Sequence, residues 1–321
     1  MSSSVTTTTP ARATTRAGAA GGAPARRRFL TTARRDAIAG YLFIAPQLAG
    51  IALFVLVPLV LVVISSLQNT NVLSGETQFV GAANYQQLLS DPQIGPVLGV
   101  TAVFSVGIVG CNIPLALLLA VMLNRRGRAI AFFRTAFFSP VVVSIVAWTI
   151  VWGFLLQDNG GINGLLKVFH IDGPNWLQSG PTALGAVVLV QVFKNVGLNM
   201  VLFLSALQGV PVELTEAARM DGAGARVVFT RITLPLISPT ILLTVIITIV
   251  GSLQVFSQIA VLTAGGPGIS TTVLVYYLFQ QAFDFHHFGY GSTLAILLFV
   301  IVLVLTLVQW QLRRRWVFHE S

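Results

Sequence analysis

An all-α fold, a polytopic membrane bundle of six spanning helices, is what this sequence predicts, and three observations carry the prediction. Of its 321 residues, 55% are apolar and only 9% are charged, against about 25% charged in an ordinary soluble domain. Six separate apolar runs each reach the roughly 20 residues that a helix needs to cross about 30 Å of hydrocarbon. The Lys and Arg residues gather on alternate connectors between those runs. What remains outside the runs is short, which excludes a sizeable soluble catalytic domain. The single cysteine, Cys111, lies inside an apolar run, so an intrachain disulfide and a cysteine-rich metal site are both ruled out. A net charge of +9 invites a nucleic-acid reading, but the basic residues flank the spans, as membrane topology requires.

Taken in order, residues 1–37 are rich in Ser, Thr, Ala, Gly and Arg without a periodic apolar face. They bury too little to offset the entropy of ordering, so a disordered cytoplasmic tail is expected. Arg26, Arg27 and Arg28 before an apolar stretch resemble a signal peptide's start, but that stretch is too long for an h-region and lacks a small-residue cleavage site. A helical domain over 38–312 follows, with spans expected at 40–67, 96–123, 130–156, 182–208, 237–262 and 290–312, and a short cytoplasmic tail over 313–321. Pro58, Pro114 and Pro140 are compatible with spanning helices, because neighbouring helices can satisfy the carbonyls a proline leaves free.

Topology comes from the basic residues. Seven arginines precede the first span, and Arg125, Arg126, Arg128 and Arg134 occupy the second connector. Arg219, Arg226 and Arg231 occupy the fourth connector, and Arg313, Arg314 and Arg315 follow the last span. Only Lys167 falls on the opposite set of connectors, and Lys194 lies inside a span. Both termini are therefore expected in the cytoplasm.

The fourth connector, with its flanks, reads PVELTEAARMDGAGARVVFTRITLPLISP from Pro211 to Pro239. Pro211 suits a first helical turn and Gly222 suits a stop that needs positive φ, so a helix of about ten residues is expected between them. Ala217 and Ala218 carry almost no bulk, which lets another surface approach the backbone. Leu234-Pro235 and Pro239 predict a bend where the chain returns to the membrane. Two roles fit this segment: a docking helix for a protein partner, or an amphipathic helix on lipid headgroups.

Glu216-Ala217-Ala218, Asp221-Gly222-Ala223, Phe229, Ile232, Leu234-Pro235 and Pro239 match EAAxxDGAxxxxxFxxIxLPxxxP at every fixed position. The chain thereby resembles the permease subunits of binding-protein-dependent ABC importers, of the carbohydrate, maltose-type first-permease kind. NGGINGLL from Asn159, Asn175-Trp176-Leu177, VLTAGGP from Val261 and FGYG from Phe288 extend the resemblance over about residues 38–315. It implies a coupling loop over 211–235 that docks on an ATP-binding subunit, with Glu216, Ala217, Ala218, Asp221, Gly222, Ala223 and Arg226 at the interface. Phe229 and Leu234 would hold that loop against its own bundle. It further implies a second homologous permease, two copies of the ATP-binding subunit, an extracytoplasmic solute-binding protein and a place in the bacterial cell membrane. ATP and magnesium would sit on the partner, leaving this chain without a cofactor, a metal or an enzymatic activity of its own.

Inside the spans, Gln191, Asn195 and Asn199 recur every four residues on one helix face, with Lys194 on its shoulder. Gln254, Ser257 and Gln258 add polar groups to the fifth span. Either these groups line a path for a hydroxyl-rich solute, or they bond neighbouring helices and carbonyls. Trp176, Tyr276, Tyr277 and Tyr290 read as interface anchors, and His286 and His287 as solvated loop residues. No GxxxxGK[ST] phosphate loop and no carboxylate pair or activated nucleophile is present, so nucleotide hydrolysis belongs elsewhere. The expected substrate is a sugar or polyol-type solute; a glycerol phosphate or glycerophosphodiester is the alternative, to which Lys194 could answer. A secondary, ion-coupled transporter is the alternative of another class, and it fits poorly because all ten acids lie in tails, connectors or span ends.

Overall fold

Helix boundaries in the computed structural model follow the apolar runs, and they depart from them after Pro140, at Ile237 before Pro239 and after Leu253. Residues 26–70, 76–125 and 127–316 are described; the expectations for 1–25 and 317–321, with Arg12 and Arg16, lie outside them. The chain forms two compact units, one up to Pro58 and one from Leu59.

Helix α1 (Arg26–Ile51) and a π-helical turn at Ala52–Leu56 lie in the first unit, and α2 (Val57–Ser66) begins there and ends in the second. The run Asp36–Ser66 is long and apolar enough to cross a bilayer. The helix thus covers residues 26–37, which composition alone assigned to the irregular tail. Extending an existing helix costs little where Arg, Leu and Ala continue it, whereas starting one is expensive.

After α2 the second unit holds a small hairpin, β1 (Gln68–Thr70) against β2 (Thr77–Phe79), antiparallel with Asn69 opposite Gln78. These are the only strands among the described residues. Helices α3 (Ala83–Ser90) and α4 (Ile94–Leu123) follow, then α5 (Arg128–Val142), α6 (Ile145–Leu155) and α7 (Gly161–Val168). Next come α8 (Gly180–Gln208), α9 (Val212–Met220), α10 (Ala225–Val228), a π-helical turn at Phe229–Thr233 and α11 (Leu234–Leu236). The remainder is α12 (Ser238–Leu253), α13 (Ser257–Leu262), α14 (Leu274–Phe279) and α15 (Phe288–Trp316).

Among the described residues four helices are long and apolar enough to span singly, and the number reaches six if each of two bent pairs counts as one span. The third expected span breaks between α5 and α6 with a bend of 103°. Pro140 contributes no N–H there, and Val143 and Ser144 take extended backbone. The fifth bends by 65° at Ile237, just before Pro239 in the first turn of α12, and stops at Leu253, short of the 262 expected. Proline and glycine punctuation therefore shortens or bends what hydropathy reads as continuous.

The core lies along α8, which packs on α4, α5 and α12. Ala116 and Ala120 of α4 meet Met200 and Phe203 of α8 and Ile237, while Phe104, Ile108, Val187 and Ile259 form a second cluster. Close contact is enforced by glycine: a Cβ on Gly197 would lie 1.9 Å from the carbonyl oxygen of Phe137 in α5. The glycines of the FGYG string have the same cause. A Cβ on Gly289 would lie 1.9 Å from the Gln68 carbonyl oxygen, and one on Gly291 would lie 2.7 Å from the Ala282 Cβ.

Candidate functional site

The connector after α8 builds a helix with a defined stop. Glu213 lies in the first turn of α9 and Arg219 in the last, both favourable to the helix dipole. The Ala223 N–H donates to the Ala218 carbonyl at 2.9 Å and the Gly222 N–H to the Arg219 carbonyl at 3.0 Å. With Gly222 at φ +83°, this pair of bonds is a Schellman stop, which satisfies carbonyls that a helix end otherwise leaves free. No residue of α9 is buried. Glu216, Ala217, Asp221, Gly222 and Arg226 are exposed, and Ala218 and Ala223 are half-buried. Leu234 packs against the Ala116–Met200 cluster and so ties the return leg to the bundle, while Phe229 is half-buried. The segment is a projecting, rigidly terminated helix whose exposed small residues leave its backbone open to close approach.

The seven polar residues expected along a path separate into two sets. Gln191, Lys194, Asn199 and Gln258 are buried. Gln258 donates to the Gln191 side-chain oxygen, which joins α13 to α8. Asn199 donates to the Asn112 side-chain oxygen and, at 3.0 Å, to the Thr248 hydroxyl; Asn112 in turn donates to the Val192 carbonyl at 3.2 Å. These two polar layers bond α8 to α4, α12 and α13 in a region without water to compete. By contrast, Gln254 is exposed, and Asn195 and Ser257 are half-buried. Gln254 and Ser257 flank the interruption between α12 and α13.

Lys194 is used by the fold. Its ammonium donates to the carbonyls of Pro140, Val141 and Val143 at and just beyond the end of α5, with 3.3 Å to that of Val141. It also lies 5.8 Å from the centre of the Trp148 ring. The anion reading that Lys194 had left open thereby loses its residue. A second basic side chain acts in the same way: Arg134 donates to the Leu123 carbonyl at 2.7 Å and to the Arg125 carbonyl at 3.1 Å, capping α4.

At the other end, Asp91 fastens the first connector to the last helices. The hydroxyls of Tyr277 and Tyr290 each donate to its Oδ2 at 2.6 Å, and the Gln93 N–H donates to Oδ1 at 2.9 Å. Burial raises the Asp91 pKa, but the hydrogen bonds from Tyr277, Tyr290 and Gln93 outweigh it and hold the carboxyl below its ordinary range. Burial, then the bond to Asp91, pushes the Tyr277 phenol upward. Tyr276, Tyr277 and Tyr290 are buried. They are internal ties, not the interface anchors that their position near span ends predicts. Trp176 likewise donates inward, to the Asn163 side-chain oxygen at 2.7 Å. His286 and His287 are exposed, as expected of loop residues.

Sequence reasoning missed Asn112 and Asp91. The signal for Asn112 was present: it is the one amide inside the apolar run 96–123, and an intramembrane amide needs a partner. Asp91 gave none, because its tyrosines lie 186 and 199 positions away.

Comparison with known proteins agrees with this architecture. Residues 112–317 match the family model of the binding-protein-dependent transport system inner membrane component. A probable ABC transporter permease protein, YurN of Bacillus subtilis, is 34% identical over 86% of this chain and 96% of the relative. The trehalose/maltose transport system permease protein MalF of Thermococcus litoralis is 34% identical over 85% of this chain and 93% of that protein. The fold resembles a chain of a bacterial alginate ABC transporter solved with a pentasaccharide-bound periplasmic protein: TM-score 0.78 at 23% identity, over 90% of this chain and 98% of that one. A projecting helix with a glycine stop, carried on a bundle of apolar helices broken by proline, is thus found in a chain that belongs to the family of inner membrane components of binding-protein-dependent transport systems.

Proposed function

We propose that this chain is one of two pathway-forming permease subunits of an ABC importer for a sugar or related polyol, and that α9 is its coupling helix. The observation that carries the proposal is that α9 has no buried residue yet ends in a fixed Schellman stop at Gly222. A helix with no buried residue of its own, but rigidly held at its end, is suited to transmit force from a partner. Glu216, Ala217, Ala218, Asp221, Gly222, Ala223 and Arg226 form the contact. A separate ATP-binding subunit, present in two copies, supplies the energy by hydrolysing magnesium-bound ATP in the cytoplasm. An external solute-binding protein delivers the solute, and both termini of this chain are cytoplasmic, in keeping with the arginine-rich alternate connectors.

The solute path faces the second permease. Gln254, Ser257 and Asn195 line it, because they keep free surface while Gln191, Asn199 and Gln258 are engaged with one another and with α4 and α12. Exposed amides and hydroxyls suit a neutral, hydroxyl-rich solute, and the sugar relatives named above support that class. Mild-detergent purification of the tagged chain tests the assembly: a P-loop ATPase and a second permease should accompany it. Their absence, or ATP-independent sugar uptake by proteoliposomes of this chain alone, would refute the proposal.

A further inference from the structure

The break in the third span leaves a cage of carbonyl oxygens in the middle of a membrane helix. The last carbonyls of any helix lack intrahelical partners and carry its negative pole. Here the carbonyls of Pro140, Val141 and Val143, of which the first also accepts the Val143 N–H, converge on one point, and the Trp148 ring offers its electron-rich face to the same point at 5.8 Å. A primary ammonium has three N–H donors, and the cage has three acceptors. No Asp or Glu occurs in α5, α6 or α8, so the charge of Lys194 is balanced by dipoles and by a π-face, with no carboxylate in these helices. In ion-coupled carriers, broken-helix carbonyls at membrane depth bind a free cation taken from solution.

We infer that Lys194 is a tethered cation occupying a monovalent-cation site formed by the Pro140, Val141 and Val143 carbonyls, and that removing its side chain opens this site to a free primary ammonium ion. The lysine supplies permanently the charge that a carrier would borrow from a gradient, which leaves the broken helix stable without a coupling ion. It also explains why α5 and α8 approach so closely at Gly197, three residues along α8, where a Cβ would strike the Phe137 carbonyl. The ammonium pulls the end of α5 onto α8, and the glycine makes room for it.

The test uses the full-length chain in detergent, with thermal unfolding measured in choline chloride and in methylammonium chloride at equal concentration. Choline has no N–H and is too large for the cage; methylammonium reproduces the end of the lysine side chain. Both Lys194→Met and Lys194→Ala should unfold several degrees below the unsubstituted chain in choline. Methylammonium should restore at least half of the loss in Lys194→Ala, where space has opened, and little in Lys194→Met, where the thioether fills it. The unsubstituted chain should not distinguish the salts. The inference is overturned by a Lys194→Met protein that unfolds with the unsubstituted chain, or by a Lys194→Ala protein indifferent to methylammonium. Should Lys194→Ala not accumulate in cells, Lys194→Met alone decides, its lowered midpoint supporting the site and an unchanged one refuting it.

Discussion

Gly222 isolates the mechanical part of the proposal from packing. It sits at φ +83° with no heavy atom within 4 Å of where a Cβ would be, so a substitution there meets empty space and pays only in backbone conformation. A residue other than Gly, Asn or Asp costs about 1–2 kcal/mol in the left-handed region, which lowers the population of the Schellman stop by roughly 5–30-fold. Gly222→Ala should therefore cut ATP-driven solute uptake by proteoliposomes of the assembled transporter several-fold. Gly222→Val, β-branched and worse at positive φ, should cut it further, and Gly222→Asn, which tolerates this region, least. Because the strain is confined to one exposed turn that can open without disturbing the buried bundle, the midpoint of thermal unfolding should fall far less than uptake in all three. Equal uptake by the Val and Asn variants would show that the reversal after the paired alanines has no part in coupling. A parallel loss of thermal stability would show that its part is structural.

Other perturbations separate the connector from the bundle. Glu216→Lys reverses an exposed charge on α9 and should abolish uptake while leaving accumulation in the membrane intact; undiminished transport would remove this residue from the coupling interface. Gly197→Ala forces a Cβ to within 1.9 Å of the Phe137 oxygen, so α8 and α5 must part by about an ångström. Overpacking of this kind costs about 1–3 kcal/mol, and the variant should unfold at lower temperature. Asp91 has a native pKa below its unfolded value of about 3.9, so its contribution is fully present above that value and lost as pH falls through the depressed native value. Unfolding midpoints measured across that range should fall for the unsubstituted chain, and Asp91→Asn should flatten the dependence.

How much of this was legible in the sequence differs from one segment to another. The apolar helices and their order came from hydropathy, because the cost of leaving apolar residues in water is local to each run. The glycine stop of α9 was legible for the same reason: positive φ at Gly222 is a property of one residue. Pro140 hinted at distortion, but not at a bend of 103°, whose carbonyls bond to Lys194, more than fifty positions further on. The polar residues of α8 were identified as a face, yet their roles divide by partners on α4, α12 and α13 that periodicity cannot locate. Gln191 and Asn199 are spent on such partners, and Asn195 is not buried with them. The tyrosines misled because an aromatic near a span end is ambiguous until its hydroxyl's partner is known. Tyr277 and Tyr290 found Asp91.

A photo-crosslinking residue placed at position 217, on the exposed face of α9, tests coupling most directly when compared with one at position 165, on exposed Leu165 of α7 in the third connector. In intact cells, irradiation should join position 217 to a P-loop ATP-binding protein, in a yield that changes with nucleotide, and should never do so from position 165. An ATPase adduct from position 165, or none from position 217, would contradict the account.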